Sequence, residues 1–185
     1  MYDRINESGE IQMIIIQDNF MEEHIAQLID GSIHNTDFNW HWHYKSNANE
    51  PDRHWHVLAG HSIEEMNERG FDYLVPVWEK IQYNTEFPKT EIVRCYLNAH
   101  TPGVEPTIHR DDGEITYIYY PNLEWRDVYG GGTSIYEEDM TKGTIIPYKG
   151  NRLIGFEANK LHQAMPVTKK CFLLRTCVVF KTKKA

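Results

Sequence analysis

The segment HRDDGEITYIYYPN, residues 109–122, sets a histidine and an aspartate one residue apart, directly ahead of an alternating aromatic run. A surface turn would explain that pair, and so would half of a metal site. In an extended chain successive side chains alternate in direction, so His109 and Asp111 would share one face while Arg110 turns away. Two ligands do not hold a redox metal, and the third donor must come from elsewhere. His162, in NKLHQAMPV, lies about fifty residues on, between the apolar run RLIGFE and the last strand-like run.

Two histidines and one carboxylate with three open positions make the facial triad of a non-haem iron(II) site. The chain holds ten histidines, so this spacing alone is a weak signal. Arg175 adds weight. It stands in LLRTCVVF, which offers no acid, and on an extended strand it shares a face with Leu173, Cys177 and Val179. A fixed cation inside an apolar strand needs an anionic partner. That partner is either an acid across the sheet or a bound dicarboxylate held by a bidentate guanidinium pair.

These residues need elements to position them. IQMIII (Ile11 to Ile16) reads as a strand, and NFMEEHIAQLIDG reads as a helix with Phe20, Ile25 and Leu28 at helical spacing and Gly31 as its stop. Ser62 and Glu65 form a capping-box pattern that opens a second helix. Tyr73, Leu74, Val77, Trp78 and Ile81 resume the helical period, with Pro76 tolerable only near a helix start or at a kink. After Pro88 the chain turns to EIVRCYLN, PTIHR, ITYIYYP, GGTSIYEE, GTIIPY, RLIGFE and CFLLRTCVVFK, runs rich in β-branched and aromatic residues and separated by turn formers. The expected fold is α+β: a double-stranded β-helix, or jelly roll, with supporting N-terminal helices. Residues 1–185 read as one domain, with helical support mainly in 1–88 and the jelly-roll core in about 89–181. The last strand is too apolar for an exposed edge.

Bulk properties narrow the function classes. At 185 residues the chain can bury about 70% of its unfolded surface. A net charge of −8 argues against a phosphate-backbone binder, so no nucleic-acid partner is expected, and the cluster Lys181, Lys183 and Lys184 reads as a short solvated terminal tail. No apolar run approaches a membrane span, and MYDRINESGE has no signal-peptide core, so the expected location is the cytoplasm. Cys95, Cys171 and Cys177 are odd in number and lack CxxC spacing, which fits neither a disulfide framework nor a zinc ribbon.

From Val93 to Phe180 the chain resembles the iron(II)/2-oxoglutarate dioxygenases of the prolyl 4-hydroxylase type. The shared elements are RCY (94–96), HRD (109–111), TYIYYPN (116–122) with the following EW, GGG (130–132), RLIGF (152–156), His162, and Arg175 on the last strand. The resemblance implies that His109, Asp111 and His162 ligate Fe(II). It also implies that Arg175 binds the distal carboxylate of 2-oxoglutarate, with Tyr96 and Tyr120 where family tyrosines hydrogen-bond that co-substrate. A core tyrosine bonded to backbone remains the alternative for Tyr120. Lys170 is the rival to Arg175, because the gap from His162 is longer than in close relatives and some members use lysine. The implied reaction consumes dioxygen and 2-oxoglutarate, with ascorbate as accessory reductant, and hydroxylates a substrate, foremost a peptidyl proline in a peptide or protein, with release of succinate and carbon dioxide. A small-molecule substrate, a non-catalytic jelly-roll binding module and a cupin-like metalloenzyme without 2-oxoglutarate are the competing readings.

Three further motifs need weighing. NWHWHYKS and RHWHV put His41, His43, His54 and His56 at period-two spacing. They could be a second metal site, an aromatic wall near the site's mouth, or packing of Trp40, Trp42 and Trp55 on the barrel with histidines at the rim; the last is the expectation. HRD also begins a kinase catalytic loop, but that loop needs Asn where Thr116 stands. The run Gly130–Gly132 leads into a strand and not a helix, so it reads as close backbone packing and not as a phosphate cradle.

Overall fold

The structure is a computed structural model and describes residues 2–5, 11–44, 53–140 and 143–185. Eleven strands and three α-helices are found among them: β1 (Tyr2–Ile5), β2 (Ile11–Gln17), α1 (Glu23–Ile33), β3 (His41–Tyr44), β4 (Arg53–Gly60), α2 (Ile63–Glu68), α3 (Val75–Tyr83), β5 (Thr90–His100), β6 (Ile115–Tyr120), β7 (Thr133–Tyr136), β8 (Gly143–Ile146), β9 (Arg152–Glu157), β10 (His162–Ala164) and β11 (Arg175–Lys184). Eight strands form an antiparallel sheet in the order β1-β2-β9-β6-β11-β5-β4-β3. A second antiparallel sheet, β10-β7-β8, lies against it. The architecture is a double-stranded β-helix backed by helices. No helix among the described residues is long and apolar enough to cross a membrane.

Alternation along the strands assigns each residue a side. Tyr117 and Tyr119 of β6, Leu97 of β5, and Val178 and Phe180 of β11 pack with Ile29, Met66, Val77 and Trp78 of the helices. Their sequence neighbours Ile118, Tyr120, Cys177 and Val179 turn inward and pack with Ile135 and Ile146 of the small sheet. Both faces of β6 are therefore dry, which explains a run of six buried residues where a half-exposed strand would alternate with polar ones. The last strand sits between β5 and β6, away from any edge, as its apolar character requires.

Several local expectations hold. Ser62 accepts a hydrogen bond from the Glu65 amide as an N-cap, while the Glu65 carboxylate reaches back to the amide of His61, one residue before the cap, and not to that of Ser62. Pro76 stands in the first turn of α3, where its missing N–H costs nothing. Others need correction. Helix α1 starts at Glu23 and runs through Gly31 to Ile33, because the fully buried Ile33 side chain outweighs the ~1 kcal/mol cost of an internal glycine. PTIHR forms no strand and makes a single bridge, His109 to His162. Strand β11 begins at Arg175, so Leu173 precedes it. The N-terminal half is also less helical than expected: it adds β1 and β2 to one edge of the large sheet and β4 and β3 to the other.

One ion-pair cluster ties the end of β2 to β9. Asp18 accepts from Arg152 at 2.5 and 3.1 Å and from Lys149 at 2.7 Å. The Arg152 hydrogen bond, working against burial, lowers the Asp18 carboxyl to about 2. A depressed folded-state value contributes stability that is present above the unfolded value near 4 and is lost as pH falls through about 2. We therefore expect Asp18→Asn to destabilise the protein at pH 7 by about 1 kcal/mol after discounting for its partial exposure. That corresponds to about 2–4 °C in melting temperature, and the difference from wild type should close as the pH is lowered from 5 towards 2. Thermal melts across that range check it.

Candidate active site

A cavity of about 520 Å³ opens on the inner face of the large sheet. Same-parity residues of four adjacent strands line it: His54 and His56 of β4, Arg94, Tyr96, Asn98 and His100 of β5, Arg175, Cys177, Val179 and Lys181 of β11, and Thr116 and Ile118 of β6. Period-two alternation thus puts polar residues on a wall whose back is the hydrophobic core. His109, Asp111 and His162 close one side.

Those three residues converge. One ligand atom from each can be chosen so that all lie within 4.8 Å of one another. Backbone, not strand geometry, holds them: His109 and His162 exchange both N–H···O bonds, and the Asp111 amide donates to the Ala158 carbonyl. The Nδ1 atoms of His109 and His162 lie 3.0 and 2.9 Å from the carbonyls of Thr107 and Lys160. A carbonyl only accepts, so each Nδ1 carries the proton and each Nε2 presents a lone pair. The two Nε2 atoms approach the Asp111 oxygens at 3.6 and 3.5 Å. Neighbouring ligands about 2.1 Å from one ion would stand only slightly closer together, so the three side chains could hold a divalent metal with open positions left over. Arg110 turns away from them to Glu138.

The Asp111 carboxylate has two further neighbours. Thr116 donates to it at 2.8 Å, and the Lys181 ammonium lies 2.8 Å away, shared with Asp112. Burial alone would raise the Asp111 carboxyl, but the adjoining His162 ring, and then the Lys181 ammonium, outweigh it and hold the group well below the usual carboxylate range. It is a fixed anion before any metal arrives.

Arg175 lies at the other end of β11, only 1% exposed. Its Nε donates to the Gly131 carbonyl at 2.6 Å, one Nη contacts Cys177 Sγ, and its plane stands over the rings of Tyr120 and Tyr148. No described carboxylate forms an ion pair with it. The acid across the sheet is absent among the described residues, and a buried cation with spare donors facing a cavity fits an anionic ligand. Gly131 makes the approach: its φ is +75°, and a Cβ there would meet Arg175 Cγ at 3.3 Å and the Trp125 ring at 3.1 Å. Lys170, the rival, is exposed in a turn with Lys169 and lines no part of the cavity.

Tyr96 lines the cavity, under the cations of Arg94 and Lys181. Tyr120 stands behind the wall: its hydroxyl lies 2.7 Å from Thr133 Oγ1, and Thr133 reaches the cavity. Burial raises the Tyr120 hydroxyl to about 12, so it stays protonated. The histidine-tryptophan stretch differs from expectation. His54 and His56 line the cavity wall and are not rim residues, and Trp42 pairs edge-on with Trp55 while remaining half exposed. The His43 side chain lies outside the described residues, and the triad is the one metal-capable group found among those described.

Sequence reasoning missed Lys181, taken as part of a solvated tail, along with Thr133, Tyr148 and the role of Asn122. Asn122 Oδ1 accepts from the Tyr148 hydroxyl (2.6 Å) and from the Thr176 amide (2.9 Å), and its Nδ2 donates to the Leu174 carbonyl (2.9 Å). The clamp fixes the start of β11 and the ring under Arg175. Its only sequence signal was a polar residue closing an otherwise apolar strand.

The family sequence model of the 2OG-Fe(II) oxygenase superfamily matches residues 91–180. No curated protein matches the chain by sequence. Among solved structures, a Trichoplax adhaerens prolyl hydroxylase in complex with a hypoxia inducible factor peptide fragment superposes with a TM-score of 0.63 at 14% identity, over 92% of this chain and 83% of that one. A Pseudomonas putida prolyl-4-hydroxylase gives 0.63 at 13% identity, over 94% of each chain. SnoN, a non-haem α-ketoglutarate-dependent epimerase of nogalamycin biosynthesis, gives 0.64 at 9% identity, over 94% and 79%. At these identities the likeness is one of fold.

Replacing Asn122 by Ala leaves the Thr176 amide without its acceptor and the Leu174 carbonyl without its donor, while the Tyr148 hydroxyl keeps the Thr176 carbonyl. The expected cost is about 2–4 kcal/mol, read as a lower urea midpoint.

Proposed function

Because the chain belongs, through residues 91–180, to the 2OG-Fe(II) oxygenase superfamily, we propose that it hydroxylates a peptidyl proline, using dioxygen and 2-oxoglutarate and releasing succinate and carbon dioxide. The observation that carries this reading is the meeting, in one cavity, of a His-Asp-His cluster and a buried arginine without an acid partner. His109 Nε2, His162 Nε2 and an Asp111 oxygen would ligate iron(II). When bound, the iron supplies the dioxygen chemistry that no side chain here can perform.

The protein's own work is orientation. Arg175 would take the distal carboxylate of 2-oxoglutarate, with the faces of Tyr120 and Tyr148 fixing the guanidinium plane. Tyr96 would donate its hydroxyl to the co-substrate, and Tyr120 would act through Thr133. Ile118, Cys177 and Val179 form an apolar strip between the two ends that limits water. The choice of proline is supported by the motif resemblance to prolyl hydroxylases and by the fold of the two prolyl hydroxylases above; the epimerase shares that fold, so a small-molecule substrate is the outcome to test against. The same reading has residues 1–185 acting as one domain on a peptide or protein in the cytoplasm, with ascorbate as accessory reductant. Three unpaired, buried cysteines fit a reducing compartment, and the acidic net charge fits a partner other than nucleic acid.

We expect His109→Ala and Asp111→Ala each to abolish substrate-independent conversion of 2-oxoglutarate to succinate. Undiminished turnover in both would remove them from the metal site. Arg175→Met should raise the KM for 2-oxoglutarate by about 100-fold, the loss of one buried charge-assisted pair, while Lys170→Met should leave it unchanged. Anaerobic addition of 2-oxoglutarate to the iron(II) protein should give a weak visible charge-transfer band; its absence with iron bound would mean a metalloenzyme that does not use 2-oxoglutarate. Mass spectrometry of proline-containing peptides after incubation should show a one-oxygen gain.

A further inference from the structure

The cavity has a second cationic end. Lys181 lies six residues beyond Arg175 on the same face of β11, so their backbones stand roughly 20 Å apart at strand rise. Arg94 is its cross-strand partner on β5, Thr116 its partner on β6, and Arg94 and Lys181 both stand over the Tyr96 ring, at 5.6 and 6.0 Å. Lys181 is only 7% exposed. A buried ammonium on an inner strand needs a reason.

In the metal-free protein that reason is local. Lys181 is paired with Asp111 and Asp112, and Arg94 with Asp112. Under the proposed function, on which this inference rests, the balance changes. A divalent ion held by Asp111 takes up that carboxylate's charge. Lys181 and Arg94 are then left to share Asp112, a largely exposed group, beside a cationic centre. Counting the ion, Arg175, Lys181 and Arg94 against Asp111 and Asp112 leaves three positive charges. A doubly charged co-substrate at Arg175 cancels two of them. One remains, beside the triad, where Lys181 meets Asp111. The donors are there to meet it: Lys181 has three N–H groups and uses two on the acids, while only one hydrogen bond of the five Arg94 donors is made, to Asp112.

We infer that Lys181 and Arg94 form a recognition site for one carboxylate of the molecule to be oxidised, presenting a neighbouring carbon to the metal. The substrate is then a peptide that is a monoanion at this end, through its C-terminus or through an acidic residue beside the target. Lys181 and Arg94 set specificity, and a neutral amide in the same place would leave the cations uncompensated.

Binding tests this without turnover. The protein is loaded with Mn(II) and excess 2-oxoglutarate, and paramagnetic broadening is read on the methyl proton signal of acetate and of acetamide. Acetate should be broadened at least about tenfold more strongly than acetamide, as one surviving ion pair requires. Lys181→Gln should erase that preference, and Arg94→Gln, at a half-exposed position where folding is not at stake, should weaken it in the same direction. Retained broadening of the 2-oxoglutarate methylene signals in each variant reports a folded, loaded site. Equal broadening of acetate and acetamide, no broadening of either, or a preference that survives both substitutions overturns the inference while 2-oxoglutarate remains bound. Failure of wild-type protein to broaden 2-oxoglutarate instead overturns the proposed function, and this inference with it.

Discussion

A guanidinium enclosed in a β-sandwich with no acid paired to it among the described residues is the constraint on which the rest of the site depends. Desolvating such a group is costly by several kcal/mol unless polar partners and a counter-ion are supplied. The fold supplies the first part itself. Gly131 gives a carbonyl at 2.6 Å from a backbone conformation that L side chains rarely adopt, and the stacked rings of Tyr120 and Tyr148 lie 5.7 and 5.6 Å from the guanidinium carbon. Asn122 pins one of those tyrosines and the first residues of β11 at once. The counter-ion is what the fold leaves out. A pocket so prepared is ordered before its anion enters, which lowers the entropic cost of binding.

The same strands also meet an opposite demand. β5, β6 and β11 each alternate between a face buried under helices and a face lining the cavity, so one strand carries Cys95, Leu97 and Ala99 on one side and Arg94, Tyr96, Asn98 and His100 on the other. The helices matter to function for this reason. By covering the back of the sheet with residues such as Met66, Val77 and Trp78, they provide the burial that offsets a front face rich in polar side chains. A one-residue slip in β11 would move Arg175 and Lys181 into the helix interface and Val178 and Phe180 into the cavity.

Much of this was legible in the sequence because it depends on periodicity. The central place of β11, the inward Arg175, the helix starting at Ser62 and the strand character of the C-terminal half all follow from side-chain pattern and local propensity. What was not legible depends on distant partners. PTIHR has strand-like composition, but its backbone bonds go to one residue of β10 and to the chain after β9, a pairing no local pattern encodes. Lys181 looked like the start of a solvated tail because Lys183 and Lys184 follow it, whereas pairing with β5 and β6 carries the strand two residues further into the protein than hydropathy suggests. Tyr120 packs inward with Ile118, and only the fold reveals that Thr133 stands between it and the cavity.

Asp111 is where the two ends of the cavity communicate. Its carboxylate is oriented by Thr116 and Lys181 as well as by the histidines. The ammonium that orients it is also a charge an arriving cation must face at close range, which opposes metal affinity at the moment of loading. That repulsion is relieved only if another anion takes Lys181 over, and Asp112, already shared with Arg94, can do so in part. Metal, co-substrate and a carboxylate-bearing substrate would thus favour one another's binding through shared charge balance, with no change of backbone required.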